Sequence, residues 1–180
     1  MLTPKLIKEI QEQMGKELRG KFNETIMMIL LIKNYEAAIA SQSTTTRGFR
    51  GRRDRNLVTE GLTSKVIADE LQMPQSTVST AIKRVRDKGW ITHSKGMPVK
   101  ITDEGKNTAY EKLKHHRLLE VYLVDSLGMT VEQAHDEASK LMLIASCELV
   151  NQIQLRYNNP ETCPCGEKIP ESKICKRTFD

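Results

Sequence analysis

Residues 63–89 read TSKVIADELQMPQSTVSTAIKRVRDKG, and this stretch contains two short helical patterns separated by a turn. Apolar residues at helical spacing predict helices over 65–71 and 75–88, with Met73-Pro74 at the turn between them. Gly89 is placed to end the second helix. The residues predicted to face the core are Ile67, Ala68, Leu71, Val78, Ala81, Ile82 and Val85.

A short hairpin is predicted directly after these helices. Residues 90–92 and 99–101 have the composition of strands, and residues 94–98, SKGMP, supply turn residues between them. The order helix, turn, helix and two-stranded wing is that of a winged helix-turn-helix, whose second helix enters the major groove of DNA. A solvated polar helix in an unrelated small domain is the alternative interpretation.

On the winged-helix interpretation, the second helix presents short hydrogen-bonding side chains that suit base edges and phosphates. An arginine later on the same helix and a lysine in the wing are placed to meet the DNA backbone. The predicted DNA contacts on these two elements are Gln75, Ser76, Thr77, Ser79, Thr80, Arg84 and Lys95.

A polar and arginine-rich arm, residues 43–60, precedes the helix pair. We expect Arg50, Arg52 and Arg53 of this arm to neutralise phosphates or to enter a minor groove. A solubilising loop accounts for the same composition, and both interpretations remain open.

The rest of the chain is predicted to be helical, except at its end. Helices are expected over 3–20 and from about residue 23, then over 103–127 and 130–157. We therefore predict a mainly α fold, with a winged helix-turn-helix DNA-binding domain followed by a helical dimerisation domain. The predicted boundaries are 1–102 for the DNA-binding domain with its arm, 103–157 for the dimerisation domain and 158–180 for a cysteine-containing tail.

Composition places the chain among globular proteins that bind polyanions. Of its 180 residues, 38% are hydrophobic, and the formal net charge is +5. A positive charge of this size suits a nucleic-acid partner where it is clustered.

No stretch stays apolar for the roughly 18 residues of a membrane span, and no signal core opens the sequence. We expect a cytoplasmic protein with no membrane partner. Nucleophilic triads, phosphate loops and paired catalytic carboxylates do not occur in a plausible frame, which argues against an enzyme.

Four cysteines, Cys147, Cys163, Cys165 and Cys175, lie towards the end of the chain. In a reducing cytosol, such a group indicates metal binding more often than disulfide bonds. Four thiolates complete a tetrahedral zinc site or hold an iron–sulfur cluster. Cys163 and Cys165 are separated by one residue, whereas a zinc ribbon has two residues between its paired cysteines. This spacing argues against a zinc ribbon and keeps an iron–sulfur cluster as an alternative. The alternative is four unrelated thiols, with Cys147 as a small core residue.

From residue 63 to about residue 170, the chain resembles the diphtheria toxin repressor family of iron- and manganese-dependent regulators. Matching passages occur in the family's order: SKVIADELQMPQSTVS at 64–79, ITDEG at 101–105, HRLLE at 116–120, HDEA at 135–138, ELV at 148–150 and CPCGEKIP at 163–170. The resemblance implies a homodimer that binds double-stranded DNA at a palindromic operator near genes of metal homeostasis. It also implies that the protein acts there as a transcriptional repressor.

The resemblance further implies metal ligands at His116, Glu120 and His135. His116 and Glu120 are four residues apart, so they share one face of a helix. The family's main activating site takes additional ligands from the last helix, at positions where this chain has no good ligand. Those positions hold Ser139, Met142 and Leu143.

The chain lacks the additional ligands of the family's main activating site but has four cysteines near its end. These two features together lead to a hypothesis about the effector. We expect a regulator of metal or iron homeostasis that responds to an iron–sulfur cluster or to a divalent metal ion (iron, manganese or zinc). A cluster would make the protein a sensor of iron, oxygen or redox state. The alternative function is a non-specific, chromosome-associated DNA-binding protein with a structural zinc site.

Overall fold

The computed structural model describes residues 3–43 and 61–175, which form seven helices and one two-stranded sheet. In chain order the elements are α1 (Pro4–Gln13), α2 (Lys16–Ser43), α3 (Ser64–Leu71), α4 (Gln75–Asp87), β1 (Ile91–Thr92), β2 (Lys100–Ile101), α5 (Asp103–Leu127), α6 (Val131–Leu141) and α7 (Cys147–Arg156). The predicted mainly α fold class is confirmed. None of the helices in the described ranges combines the length and the hydropathy that a membrane crossing requires.

The chain divides into two compact units. The head unit contains Asn23–Lys106 and carries the helix-turn-helix and the wing. The helical unit contains Lys5–Phe22 and Asn107–Asp180. Residues 5–22 therefore group with the later helices of the chain. The arm arginines Arg50, Arg52 and Arg53 lie outside the described residues.

Both ends of α3, the first helix of the helix-turn-helix, are capped. The Thr63 side chain accepts a hydrogen bond from the Val66 amide (3.3 Å), and Gln72 ends the helix in the left-handed conformation with φ 47°. The chain then turns through Met73 and Pro74 into α4, as predicted. The two helices bury all the apolar positions predicted for them: Ile67, Ala68, Leu71, Val78, Ala81, Ile82 and Val85.

The wing is a short antiparallel hairpin in which Ile91 of β1 lies opposite Ile101 of β2. A further bridge joins Leu62, just before α3, to Val99. This bridge fixes the start of the helix-turn-helix to the base of the wing, so the recognition helix and the wing are held in one unit.

Gly105 lies where α5 starts beside the wing. The Thr102 hydroxyl accepts a hydrogen bond from the Gly105 amide (3.1 Å), and a Cβ atom at Gly105 would lie 2.0 Å from the carbonyl oxygen of Trp90. Because that neighbour is backbone, Gly105→Ala is expected to lower the free energy of unfolding by about 1–3 kcal/mol. Urea unfolding followed by circular dichroism measures the change. The control is Gly15→Ala, whose added methyl group meets nothing within 4 Å; equal losses in the two variants would contradict the prediction.

Two predicted helix boundaries are wrong. The first helix was expected to run to Gly20, but α1 ends at Gln13 and α2 begins at Lys16, with Gly20 inside it. The break falls at Gly15, where the Arg19 guanidinium donates to the carbonyl of Met14 (3.0 Å). An interior glycine costs a helix only about 1 kcal/mol relative to alanine, and the buried apolar residues that follow in α2 offset this cost.

The helix predicted over 130–157 is two helices, α6 and α7. Thr130 and Gln133 form a capping box at the start of α6. The Ser146 side chain accepts a hydrogen bond from the Leu149 amide (3.2 Å) and caps α7. Ser146 therefore begins a new helix instead of continuing the previous one.

The tail, which was predicted as a cysteine-containing segment without helices, packs back onto the helical unit. No regular helix or strand occurs over 158–175, but Cys163, Ile169, Ser172 and Cys175 are buried. The tail thus carries two cysteines into the interior of the same unit that holds α5, α6 and α7.

Candidate metal centre and DNA-binding surface

His116 and Glu120 of α5 meet His135 of α6 in a compact group. His116 Nε2 lies 3.1 Å from Glu120 Oε1 and 3.2 Å from His135 Nδ1, and His135 Nδ1 also contacts Glu120 Oε1. Donor atoms bound to one first-row metal ion at about 2.0–2.1 Å lie roughly 2.9–3.4 Å from one another. The two distances from His116 therefore fall in the range expected for ligands of a single ion, and the contact between His135 and Glu120 brings all three donors into one group.

The protonation states of this group suit a cation. Burial alone would raise the pKa of the Glu120 carboxyl, but the contacts with His116 and His135 outweigh burial and hold the pKa well below its usual range. Burial lowers the pKa of His116 against the opposing effect of the Glu120 carboxylate. An ionised carboxylate and a neutral imidazole are the forms in which these side chains bind metals. Among the described residues, none offers a hydrogen-bond partner to the buried Nδ1 of His116 or Nε2 of His135.

Two thiols reach the other side of the same carboxylate. Cys163, Cys165 and Glu120 hold their ligand atoms within 4.8 Å of one another, and Cys165 Sγ lies 3.8 Å from Glu120 Oε2. A tight turn presents the thiols: the Gly166 amide donates to the Cys163 carbonyl (2.8 Å), and the Cys163 amide donates to the Glu167 carbonyl (2.9 Å). Burial raises the pKa of the Cys163 thiol to about 12, so this thiol loses its proton only beside a cation.

Arg117 anchors the turn to α5. Its guanidinium donates to the carboxylate of Glu167 and to the carbonyl of Lys168. Because Arg117 directly follows His116, the segment that carries Cys163 and Cys165 is held against the helix that carries the histidine and Glu120.

A third group of ligands lies on another face of α5. His115, Cys147 at the start of α7 and Cys175 in the tail have their ligand atoms within 4.8 Å of one another. Burial lowers the pKa of His115 to about 4, and the charges of Lys112 and Lys114 act in the same direction, so the ring is neutral. His115 was not among the metal ligands predicted from the sequence, although its spacing of four residues from Glu111 places the two on one face of α5.

The prediction of one site with four thiolates is not supported. Among residues 3–43 and 61–175, no group of ligand atoms within 4.8 Å contains all four cysteines. The structure divides them into two pairs because the tail starts beside Glu120 and ends beside His115. Four thiolates are the usual ligands of an iron–sulfur cluster, so an iron–sulfur trigger has no support in this arrangement.

The positions that the family uses for its main activating site hold no ligands here. Ser139 is fully buried, and its hydroxyl donates to the carbonyl of His135 (2.7 Å). Met142 is also fully buried, as part of the apolar interior. The hydroxyl of Ser139 is thus engaged within α6, next to the histidine that faces Glu120.

The predicted DNA contacts lie on the outer side of the head unit. Gln75, Ser76, Ser79 and Thr80 of α4 are exposed, Thr77 is half-buried, and Lys95 is exposed in the wing. The Thr80 hydroxyl donates to the Ser76 carbonyl (2.9 Å). The exposed early part of α4 is free of large apolar side chains, as a surface that reads DNA requires.

A buried carboxylate lies behind the later part of α4. Glu24 of α2 is 5% exposed, and its two oxygens lie 3.6 Å from Arg84 Nη1 and 2.5 Å from Lys88 Nζ. Arg84 is therefore oriented by an acid within its own unit. Sequence reasoning missed Glu24 because its partners are distant in the chain and no local pattern links them.

Comparison with known proteins matches the helical unit to one family. The family model described as "Iron dependent repressor, metal binding and dimerisation domain" matches residues 102–171. The iron-dependent repressor IdeR of Mycobacterium tuberculosis is 31% identical over 104 residues, which make up 58% of this chain and 45% of that protein. The chain thus spans about half the length of the curated relatives it matches.

Solved structures share the fold. The manganese regulator SloR superposes with a TM-score of 0.62 at 22% sequence identity, covering 83% of this chain and 60% of that one. The hypothetical protein SSo2273 from Sulfolobus solfataricus gives 0.60 at 22% identity, covering 81% and 95%. These likenesses concern the fold alone, whereas the family model and IdeR match the sequence. The family model and IdeR confirm the resemblance seen in the sequence, which is to the diphtheria toxin repressor family of metal-dependent regulators.

Proposed function

We propose that the protein is a metal-dependent transcriptional repressor that binds operator DNA as a homodimer. The regulatory divalent ion would be held by His116, Glu120 and His135. The observation that carries this proposal is the convergence of these three donors, with His116 Nε2 3.1 Å from Glu120 Oε1 and 3.2 Å from His135 Nδ1, inside the domain matched by the iron-dependent repressor model. A bound ion would neutralise the buried carboxylate and link α5 to α6.

The donors favour ferrous iron or zinc over manganese. Two imidazoles and a carboxylate accept any of these ions, but thiolates select softer metals than manganese. Cys165 Sγ is 3.8 Å from the second oxygen of Glu120, so Cys163 and Cys165 are the residues available to complete the coordination. IdeR is named an iron-dependent repressor and SloR a manganese regulator.

The head unit is proposed to read DNA with α4 in the major groove and the wing against the backbone. The exposed early residues of α4 would contact base edges, and Arg84 and Lys95 would contact phosphates. Two heads of a dimer then fit two half-sites about 34–36 Å apart, or a multiple of that distance. IdeR is named a repressor and SloR a regulator, which fits a non-enzymatic role. A cytoplasmic location stays a prediction.

A homodimer is proposed to form through the helical unit. Large apolar side chains remain exposed there in the single chain, among them Ile144 (71%), Leu149 (50%) and Leu155 (43%). Leu149→Glu is expected to reduce the solution mass, measured by light scattering, from two chains towards one, because a charge would be buried at the interface. Met97→Glu, in the wing, is the control and should stay dimeric. A dimer that persists unchanged in Leu149→Glu would contradict this interface.

Metal-dependent DNA binding tests the proposed function. A random-sequence DNA pool is selected on the full chain with Fe²⁺ under anaerobic conditions, and the recovered site is then titrated with and without Fe²⁺, Zn²⁺ or Mn²⁺. We expect a palindromic site bound at least tenfold more tightly with Fe²⁺ or Zn²⁺ than without metal. Recovery of no preferred sequence, with affinity set by salt alone, would instead support the chromosome-associated alternative, which the family match does not favour.

A further inference from the structure

We propose that His115, Cys147 and Cys175, with Glu111 as a fourth ligand, form a separate zinc site that fastens the tail to α5 and α7. This inference goes beyond the regulatory function, because none of its residues belongs to the His116, Glu120 and His135 group. His115 directly precedes His116, and consecutive residues of a helix point about 100° apart. The two imidazoles therefore enter different groups.

The donor atoms are spaced like the edges of a zinc tetrahedron. Cys147 Sγ lies 3.5 Å from His115 Nε2 and 3.7 Å from Glu111 Oε1, and His115 Nε2 lies 3.9 Å from Glu111 Oε1. With Zn–S of about 2.3 Å and Zn–N of about 2.0–2.1 Å, tetrahedral edges are roughly 3.4–3.8 Å. Cys175 Sγ is within 4.8 Å of both His115 and Cys147. Glu111 lies outside that group of three, so its carboxylate and the Cys175 thiol would have to approach each other for one ion to take all four ligands.

The surroundings suit a closed structural site. His115 and Cys175 are fully buried, and Cys147 is half-buried at the first position of α7. Lys114 is 3% exposed and donates to the Cys175 carbonyl (3.0 Å) and to Asn151 Oδ1 (3.4 Å). Zn²⁺ with two thiolates and a carboxylate carries one net negative charge, which the buried ammonium of Lys114 balances. Structural zinc sites have four protein ligands and no open position.

The proposed site explains why the tail folds inward. Cys147 and Cys175 are 28 residues apart, and the segment between them contains the Cys163–Cys165 turn. Joining both ends of that segment to α5 holds it against the helix that carries Glu120. The alternative chemistry of these thiols is a disulfide, which would leave the buried His115 ring without a bond to the two cysteines, whereas a zinc ion would take the ring as a ligand.

Cobalt tests the site, because Co²⁺ occupies zinc sites and its bonds to thiolates absorb in the near ultraviolet. The experiment uses the full chain with Cys163→Ser and Cys165→Ser in a phosphine reductant, so that any cobalt–thiolate band must come from Cys147 and Cys175. We expect one equivalent of Co²⁺ to give the band and Zn²⁺ to displace it. Adding Cys147→Ser or Cys175→Ser should abolish the band and weaken Zn²⁺ binding at least about 100-fold.

Matched variants separate this site from the regulatory one. His116→Ala in the same background should keep the cobalt–thiolate band, whereas His115→Ala should weaken or shift it. Circular dichroism verifies that each variant is folded. No band in the reduced background protein, or a band that survives both cysteine substitutions, would overturn the proposal. Metal-dependent DNA binding that persists in the single variant His116→Ala, which keeps Cys163 and Cys165, would contradict the proposed function and leave the zinc site standing.

Discussion

Glu120→Gln is expected to reduce the affinity for the regulatory ion at least about 100-fold, since loss of an outer-sphere partner alone typically costs 10–100-fold. One oxygen of this carboxylate contacts both His116 and His135, and the other lies 3.8 Å from Cys165 Sγ. Glutamine keeps the size of the side chain but offers no negative charge and places an amide group among the donors. Metal-activated DNA binding should therefore disappear at Fe²⁺ concentrations that saturate the unsubstituted protein.

The measurement is the Fe²⁺ concentration that half-activates binding to the selected DNA, followed by fluorescence anisotropy under anaerobic conditions. Glu12→Gln, which makes the same change at an exposed position of α1, is the control and should behave like the unsubstituted protein. The cobalt–thiolate band of the His115 group should persist in Glu120→Gln. Half-activation at an unchanged Fe²⁺ concentration would remove Glu120, and with it the proposed regulatory site, from consideration.

Ser79→Asp is expected to weaken DNA binding about 100-fold with the metal bound, because it places a carboxylate against the phosphates and base edges of the groove. Ser79 is exposed on α4, between the buried residues Val78 and Ala81. The substitution therefore leaves the packing of the helix unchanged. Binding to the selected site and to random DNA should both fall, since the repulsion acts on any duplex.

The control for Ser79→Asp is Gln13→Glu, which also adds one negative charge but lies at the end of α1, in the helical unit. It should lower DNA affinity by no more than a factor of about two at physiological salt, where distant charges are screened. Metal affinity and thermal stability should match the unsubstituted protein in both variants. Equal losses of DNA affinity in the two variants would mean that net charge, and not α4, determines binding.

The head unit could be predicted from the sequence because local signals agree there. Apolar spacing, the Thr63 cap and the Met73-Pro74 turn point to the same two helices, and the structure buries every predicted apolar position of that pair. The boundaries near Gly15 and Ser146 could not be predicted in the same way. Helical periodicity continues across both breaks, and the contacts that mark them, between Arg19 and the Met14 carbonyl and between Ser146 and the Leu149 amide, become visible only in the structure.

The metal ligands were harder to predict because grouping depends on tertiary contacts. His116 and Glu120 share a helix face by spacing alone, and the family resemblance added His135. Four cysteines near one end of the chain suggested one cluster, yet α7 and the tail place them at two faces of α5. Nothing in their spacing predicted that division, since it depends on where Arg117 and Lys114 hold the tail.

Because His115 and His116 are adjacent, a change in the length of α5 would affect both groups of ligands at once. An insertion or deletion of one residue in α5 ahead of this pair would rotate it by about 100° and take both imidazoles out of their groups together. The spacing from Glu111 to Glu120 should therefore be invariant among relatives that keep both histidines. Relatives that lack a cysteine at either position 147 or position 175 should have lost the other as well, while their counterparts of His116, Glu120 and His135 are retained independently.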